Sequence, residues 1–194
     1  MNKPETQDAR QRSVSVQKQL EPYISAIAGG DKTALATLYG ETKTAVYGFA
    51  LSILRNGYDA EDVLQEVYVR IWEAAPEYRP MGKPMAWILT ITRNLATGVL
   101  RERMKTAEMP EEDFLLSPQN LIANTEERMV LEGAMSLISQ SERQIILLHA
   151  VSGLKHIEIA KLLELPLATV LSKYSRARKK LQKIIEGGEL LEEK

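Results

Sequence analysis

Apolar residues recur every three or four positions through most of this 194-residue chain, a spacing that predicts amphipathic α-helices. Sustained period-two alternation is absent, and no Asn-Gly hairpin turn joins two apolar runs. The helical spacing is interrupted over residues 106–125, where two prolines accompany three consecutive acids. We therefore expect an all-α protein with two small helical domains, 18–105 and 126–187, joined by an acidic linker, 106–125.

Composition excludes several classes of protein. An apolar fraction of 44% and a charged fraction of 26% are ordinary for a globular protein. The absence of cysteine rules out disulfides, thiolate catalysis and Cys-ligated zinc. The polar amino terminus does not resemble a secretory signal, and the apolar runs are too short to span a bilayer. The expected location is the cytoplasm, without membrane insertion.

The sequence offers no constellation typical of an enzyme. His149 and His156 fall on different predicted helices and have no cysteine to complete a metal site, which favours a structural or surface role over a zinc or catalytic pair. A glycine-rich phosphate loop is also absent. We therefore predict no catalytic residue, metal ligand or cofactor.

Charge is partitioned along the chain although the net charge is only −1. Residues 57–78 contain six acids and one arginine, and residues 79–105 contain six bases and one acid. Residues 106–127 hold six acids and no base, whereas residues 143–183 hold nine bases and two acids. Such segments are either solvated helix faces or surfaces for different partners, and nucleic acid is the natural partner of the basic ones.

The carboxyl-terminal segment predicts two helices, about 155–165 and 167–186, separated by a turn of only a few residues. This arrangement is typical of a helix-turn-helix, whose second helix enters the major groove of DNA. A generic helical hairpin with a basic face is the alternative; the charge, the short turn and the terminal position favour DNA binding. Ser141 and Gln144 are expected to cap the preceding helix. The outward residues of the second helix are Thr169, Ser172, Lys173 and Arg176 near its start, then Arg178, Lys179, Lys180 and Lys183.

A polar stripe marks the helix predicted at residues 85–103. Its members lie three or four positions apart: Thr90, Arg93, Asn94, Thr97 and Arg101. Trp87 lies near the start of this helix, and Tyr78, Arg79 and Lys83 precede it. Aromatic residues interleaved with bases suit single-stranded or locally melted nucleic acid, although spacing alone favours a core position for Trp87.

The preceding helix is acidic on one side. Asp59 is expected to cap it, and its apolar positions are Ala60, Val63, Leu64, Val67, Tyr68, Ile71 and Trp72. Away from that stripe lie Glu61, Asp62, Gln65, Glu66 and Arg70. The spacing alone fits a plain solvated face.

Three segments, taken in order, resemble the sigma-70 family and specifically its extracytoplasmic-function (ECF) type. DAEDVLQEVYVRIW resembles the region 2 helix that docks on RNA polymerase, and KPMAWILTITRNLATGVLRER resembles the segment that recognises and melts the −10 element. SERQIILLHAVSGLKHIEIAKLLELPLATVLSKYSRARKKL resembles region 4, which reads the −35 element. The resemblance covers most of residues 20–185 and implies a region 2-like bundle and a region 4-like helix-turn-helix.

The resemblance implies a transcription initiation factor that carries core RNA polymerase to promoter DNA and is held by an anti-sigma factor. The residues implied for core polymerase are Asp62, Gln65, Glu66 and Arg70. Those implied for the −10 element are Arg79, Lys83, Trp87, Thr90, Arg93, Asn94, Thr97 and Arg101. Those implied for the −35 element are Lys155, Thr169, Ser172, Lys173, Arg176, Arg178 and Lys179.

The recognition helix departs from the family pattern Gly-Thr-Val-Lys-Ser-Arg. Leu171 replaces a basic residue, and Lys173 replaces an arginine that can bond bidentately to guanine. Two alternatives stay open on the sequence. One is a helix-turn-helix regulator that binds duplex DNA by itself, and the other is a degenerate sigma-like protein that starts no transcription.

Overall fold

The computed structural model describes residues 20–106 and 138–186. Within these ranges the chain is helical and contains no β-strand, so the predicted all-α class is confirmed. Residues 107–125 of the expected linker and residues 126–137 of the second expected domain lie outside the described residues. The helices are α1 (20–28), α2 (Lys32–Leu54), α3 (Gly57–Ala74), a 3₁₀ turn (Ala75–Glu77), α4 (Pro84–Thr106), α5 (Gln140–Ala150), α6 (His156–Leu163) and α7 (Leu167–Glu186).

The amino-terminal cap of α3 differs from the prediction. Asn56, not Asp59, caps this helix: its side-chain oxygen accepts the backbone N–H groups of Tyr58 at 2.9 Å and Asp59 at 3.2 Å. Asp59 therefore lies inside the first turn, where it forms an ion pair with Arg103 of α4. Asparagine and aspartate cap equally well, and local sequence does not decide between two such residues three positions apart.

Helices α1–α4 pack into one unit, the N-terminal bundle. Each helix contributes large side chains that are almost fully buried: Leu20, Ile24 and Ile27 from α1, Leu38 and Phe49 from α2, Ile71 from α3, and Ile88 and Leu89 from α4. The buried hydroxyls of Thr42 and Tyr68 are 2.7 Å apart and join α2 to α3. This packing fixes the outward faces of α3 and α4.

Helices α5–α7 form a second unit, the helix-turn-helix unit. Its core contains Ile145, Leu148, Leu154, Ile159 and Val170. Helix α6 ends at Glu164, which adopts a left-handed conformation with φ of 56°, and only Leu165 and Pro166 separate it from α7. The predicted short turn is thus present.

The capping box of α5 is formed by Ser139 and Glu142, not by Ser141 and Gln144 as expected. Because Ser139 precedes the helix in extended backbone, its hydroxyl can accept the N–H of Glu142, and the Glu142 carboxylate accepts the N–H of Ser139 at 3.0 Å. Ser141 lies inside the first turn and has no such role.

The two units are in contact: α5 packs against α2, and α6 packs against α4. Most buried apolar residues of the two units form one continuous cluster, and Ile138, Ile146 and Ala177 of the helix-turn-helix unit form a second, smaller one. Among residues 20–106 and 138–186, no helix is both long enough and apolar enough to cross a membrane.

Candidate nucleic-acid interface

The loop before α4 is fastened to α1 by Glu21. One carboxylate oxygen of Glu21 accepts the hydroxyl of Tyr78 at 3.2 Å and the N–H of Gly82 at 2.7 Å. Burial and the neighbouring Glu21 charge raise the pKa of Tyr78 to about 12, so the phenol stays protonated and donates at neutral pH. Gly82 has φ of 68°, a conformation that favours glycine. The loop is therefore held in shape before any ligand arrives.

An open pocket of about 360 Å³ lies between this loop and the first turn of α4. The rings of Tyr78 and Trp87 form one wall, with centroids 4.7 Å apart and planes tilted by 52°. Trp87 is half-buried and packs on the bundle core while also lining the pocket, so it is more than a core residue. The full lining is Glu77, Tyr78, Arg79, Met81, Lys83, Ala86, Trp87 and Thr90. Aromatic side chains beside the basic residues Arg79 and Lys83 suit a nucleic-acid base that has left the helical stack.

The polar stripe of α4 continues from this pocket along the outside of the bundle. Thr90 belongs to both, and Asn94 and Arg101 are exposed further along the same face, with Thr97 half-buried between them. Arg93 is half-buried, and its guanidinium donates to Glu164 at 2.8 Å. The structure thus brings the predicted stripe, Trp87 and the basic loop residues onto one surface, where Thr90, Asn94 and Arg101 of the stripe are exposed.

The outward face of α3 carries the predicted acidic side chains. Asp62 and Gln65 are exposed, and Arg70 bonds to Glu66 at 2.9 Å and to Glu73 at 3.0 Å. Because those charges are partly neutralised by one another, the face is less anionic than its sequence suggests.

Two apolar residues on the same face were missed by sequence reasoning. Val69 is 50% exposed and Tyr58 is 65% exposed. Val69 lies between Gln65 and Glu73 on the helix surface, because residues four positions apart are neighbours. The available signal was that Val69 falls outside the buried stripe although it is apolar. The two side chains add apolar area to a face that is otherwise polar.

The residues predicted to contact DNA from α7 fall into two groups, one exposed and one half-buried. Ser172, Arg176, Arg178 and Lys179 are exposed, as is Lys155 before α6. Thr169 and Lys173 are half-buried, and the Lys173 ammonium donates to the Ser141 hydroxyl at 2.7 Å. Leu171 is 46% exposed on the outer side of the helix. Of the two departures from the family pattern, Leu171 is presented outward and Lys173 is used within the unit.

Glu142 anchors the first turn of α5 to α7. The residue is only 4% exposed, and its carboxylate accepts from the Ser139 hydroxyl at 2.9 Å and from Lys180 at 3.4 Å. Arg176 lies 3.9 Å from the other carboxylate oxygen. Burial opposes ionisation of Glu142, but the two bonds from Ser139 and the Lys180 ammonium outweigh it and hold the pKa of Glu142 below its usual value.

Acid is expected to weaken the helix-turn-helix unit through Glu142. A carboxyl group whose pKa is lowered by folding stabilises the folded state above its unfolded pKa, and this contribution is lost as pH falls through the folded pKa. Glu142→Gln keeps a capping side chain but removes the charge. Thermal melts from pH 7 down to pH 3 should show a shallower decline below about pH 4.5 for this variant than for the wild type. The same decline of melting temperature with pH in both proteins would contradict the assignment of this acid sensitivity to Glu142.

The two histidines, both half-buried, meet between the helices of the helix-turn-helix unit. Their rings stack with centroids 4.4 Å apart, and Tyr174 packs edge-on at 4.9 Å from His149 and 4.6 Å from His156. His149 Nδ1 lies 2.9 Å from the carbonyl oxygen of Leu154. In the parts of the chain that the structure describes, no group of three or more His, Cys, Asp or Glu is placed to hold a metal ion. The pair joins α5, α6 and α7 through ring packing.

Comparison with known families gives two matches along the chain. The model for Sigma-70 region 2 matches residues 38–106, and the model for Sigma-70, region 4 matches residues 128–181. The chain is similar to the ECF RNA polymerase sigma factor SigK of Mycobacterium tuberculosis, with 28% identity over 176 residues, 86% of this chain and 94% of the relative. SigK of Mycobacterium sp. strain KMS is also 28% identical, over 162 residues, 79% of this chain and 84% of the relative.

Two solved structures share the fold. The sigma factor RpoE in complex with the anti-sigma factor NepR from Bartonella quintana has a TM-score of 0.62 and 23% identity, covering 78% of this chain and 96% of that chain. CnrH in complex with the cytosolic domain of CnrY has a TM-score of 0.58 and 22% identity, covering 86% of this chain and 97% of that chain.

Proposed function

The chain belongs to the ECF group of the sigma-70 family, and from this premise we propose how its surfaces direct RNA polymerase to promoters. The protein is a transcription initiation factor, a sigma subunit. The main support for these residue assignments is one common surface. The pocket beside Trp87, the basic loop residues Arg79 and Lys83, and the stripe on α4 form it. Polymerase supplies the chemistry of RNA synthesis, and this chain supplies binding and positioning.

The surface on α4 is proposed to engage the −10 element as a single strand. Tyr78 and Trp87 offer aromatic rings to a base turned out of the helical stack, and Arg79 and Lys83 at the pocket rim attract the neighbouring phosphates. Asn94 presents an amide on the same side of α4, able to donate to and accept from a base edge. The preformed loop lowers the entropy lost when the base enters the pocket.

Helix α7 is proposed to enter the major groove of the −35 element. Ser172 near its start and Arg176 at its middle are exposed and would reach base edges, and Arg178 and Lys179 follow as phosphate contacts. The exposed Leu171 adds an apolar contact of the kind that thymine methyl groups accept. The basic residues make this binding sensitive to salt.

The outward face of α3 is proposed to dock on core polymerase through Asp62, Gln65, Glu66 and Arg70, with Val69 among them. We further propose two domains, 18–105 and 126–187, joined by the linker 106–125, and a cytoplasmic location. RpoE and CnrH were each solved with a partner protein, an anti-sigma factor in the case of RpoE. An anti-sigma factor is accordingly proposed as a partner of this chain.

Co-elution with bacterial core RNA polymerase on gel filtration tests the proposal without knowledge of the promoter. The wild type is expected to elute with core polymerase at one-to-one stoichiometry. A variant carrying Asp62→Arg and Gln65→Ala should elute separately, because it reverses a charge and removes an amide on the α3 face. Both residues are exposed, so the variant should keep the melting temperature of the wild type.

The rival classes give different outcomes in the same experiment. A regulator that acts alone would bind duplex DNA tightly as a dimer and would not elute with core polymerase. A degenerate sigma-like protein would elute with core polymerase, yet the complex would start no transcripts from genomic fragments. Either result would contradict the sigma assignment.

A further inference from the structure

The loop that carries the basic residues of the proposed −10 surface is stiff at both ends and free in its middle. Pro80 and Pro84 lie at the two ends, and the proline ring fixes the backbone torsion φ of each. Gly82 lies between them, and glycine has more conformational freedom than any other residue. In the structure Gly82 adopts the left-handed conformation, with φ of 68°. A contact from outside the loop is therefore needed to select this shape.

Glu21 of α1 makes that contact. Its Oε1 accepts the N–H of Gly82 at 2.7 Å and the hydroxyl of Tyr78 at 3.2 Å. Hydrogen bonds to a carboxylate are stronger than those between neutral groups. Helix α1 is itself fixed in the bundle, because Leu20 and Ile24 on either side of Glu21 are almost fully buried. Glu21 thus ties the middle of the loop, and one ring of the pocket wall, to the bundle core.

The charge of Glu21 is unfavourable for a surface that binds DNA. Arg79 and Lys83 belong to the same loop and line the pocket. The phosphates that these two residues attract are repelled by a carboxylate nearby. Electrostatics alone therefore predicts that removing the charge of Glu21 strengthens the binding of DNA. If Glu21 acts through the loop, removing its side chain has the opposite effect, so the two explanations differ in sign.

We propose that Glu21 is a positioning residue for capture of the −10 strand, one that holds the loop and Tyr78 in the arrangement that receives an unstacked base. This inference rests on the −10 surface proposed above, and it assigns a role to a residue that does not itself contact DNA in that function. Without the two bonds the loop samples other shapes, and its conformational entropy is lost when the strand binds. Ordering the backbone of a single residue at that moment corresponds to an affinity loss of about 5- to 30-fold.

Three variants separate positioning from charge. Glu21→Ala removes both bonds and the charge, and should weaken binding of the −10 strand by about 5- to 30-fold. Glu21→Gln removes the charge but keeps a side-chain oxygen that can accept both bonds, so its affinity should equal or exceed that of the wild type. Gly82→Ala disfavours the left-handed conformation without altering any charge, and no atom lies within 4 Å of the added Cβ. It should weaken binding through the backbone alone.

Fluorescence anisotropy of a labelled single-stranded oligonucleotide measures this affinity. The oligonucleotide carries the non-template −10 strand of a promoter that the wild-type complex selects from genomic fragments. It is titrated, at one fixed salt concentration, with the full-length chain bound to core polymerase. Ser25→Ala, an exposed change four positions further along α1, is the matched control and should bind the strand like the wild type. The affinity for core polymerase should be the same in all these variants, because the α3 face is unchanged.

Hydrogen exchange of the free chain reports the loop directly. The N–H of Gly82 is bonded to Glu21, so exchange over residues 79–87 should be faster in Glu21→Ala than in the wild type. Glu21→Gln should exchange like the wild type, and the buried helices should exchange alike in all three proteins. A residue that only stabilised the bundle would instead change exchange throughout the four helices and leave the affinity for the strand unaltered.

Two results would overturn the proposal while leaving the proposed −10 surface intact. One is a Glu21→Ala complex that binds the strand as tightly as the wild type or more tightly, which is the outcome expected from electrostatics alone. The other is equal weakening by Glu21→Ala and Glu21→Gln, which would attribute the effect to charge and not to the bonds. A wild-type complex that binds no single strand would refute the −10 surface itself, and the positioning role with it.

Discussion

Replacing Trp87 by alanine is expected to slow promoter opening by roughly 10- to 100-fold. Stacking of one base on an aromatic side chain contributes about 1–3 kcal/mol, and Trp87 provides the larger ring of the pocket wall. The loss should fall on the opening step because the pocket has no ligand while the −10 element is paired. Rates of open-complex formation on duplex promoter, followed by fluorescence of a base analogue in the −10 element, measure this directly.

A promoter whose −10 strands are already separated distinguishes the loss of base stacking from a general loss of protein stability. On such a template the wild type no longer needs to capture a base to hold the strands apart, so the defect of Trp87→Ala should shrink. Trp87→Phe keeps a ring against Tyr78 and should retain much of the activity. Trp72→Ala removes a partly buried ring on α3, outside the pocket, and controls for lost packing. Equal opening defects for Trp72→Ala and Trp87→Ala would refute a specific role for the pocket.

Introducing a carboxylate at Val69 is expected to weaken binding to core polymerase by about 30-fold or more. Val69 is half-exposed among Gln65, Glu66 and Glu73, and burying the rest of its apolar side chain against polymerase would contribute about 1 kcal/mol. Val69→Asp additionally buries a charge that lacks a partner, which raises the cost. Fluorescence anisotropy of labelled chain titrated with core polymerase provides the dissociation constants.

Met104 offers a matched control for Val69. It is an exposed apolar residue of α4 and not of α3, so Met104→Asp should bind core polymerase like the wild type. Both variants should melt like the wild type because neither side chain is buried. Val69→Asp binding with wild-type affinity, or a loss shared by Met104→Asp, would exclude the α3 face as the specific docking surface.

Sequence reasoning predicted the helices and their polar faces because both follow from local periodicity. The buried positions of α3 are the predicted ones from Ala60 to Ile71, since a stripe at helical spacing must face the core once the helix packs. The stripe from Thr90 to Arg101 is on the surface for the same reason. Helix α4 begins at Pro84, one residue before the predicted start, because proline is tolerated at the first helical position.

Contacts between distant parts of the chain could not be predicted in this way. Glu21 precedes Gly82 by 61 positions, and nothing in its polar neighbourhood marks it as the anchor of the loop. The stacking of His149 on His156 depends on how α5 and α6 cross, which local spacing does not specify. The capping residues Asn56 and Ser139 were missed because neighbouring residues of the same chemistry competed for the role.

The amino-acid sequence by itself determined the helical class, the division of charge, and the polar faces proposed to meet polymerase and DNA. These depend on residues within one or two helical turns of each other, where spacing and side-chain chemistry suffice. Only the tertiary structure decided that Tyr78 and Trp87 form the wall of a pocket and that Glu164 reaches Arg93 across 71 positions. Those features arise from the packing of helices distant in sequence, which selects which of the available faces is buried, left open or covered by the other unit.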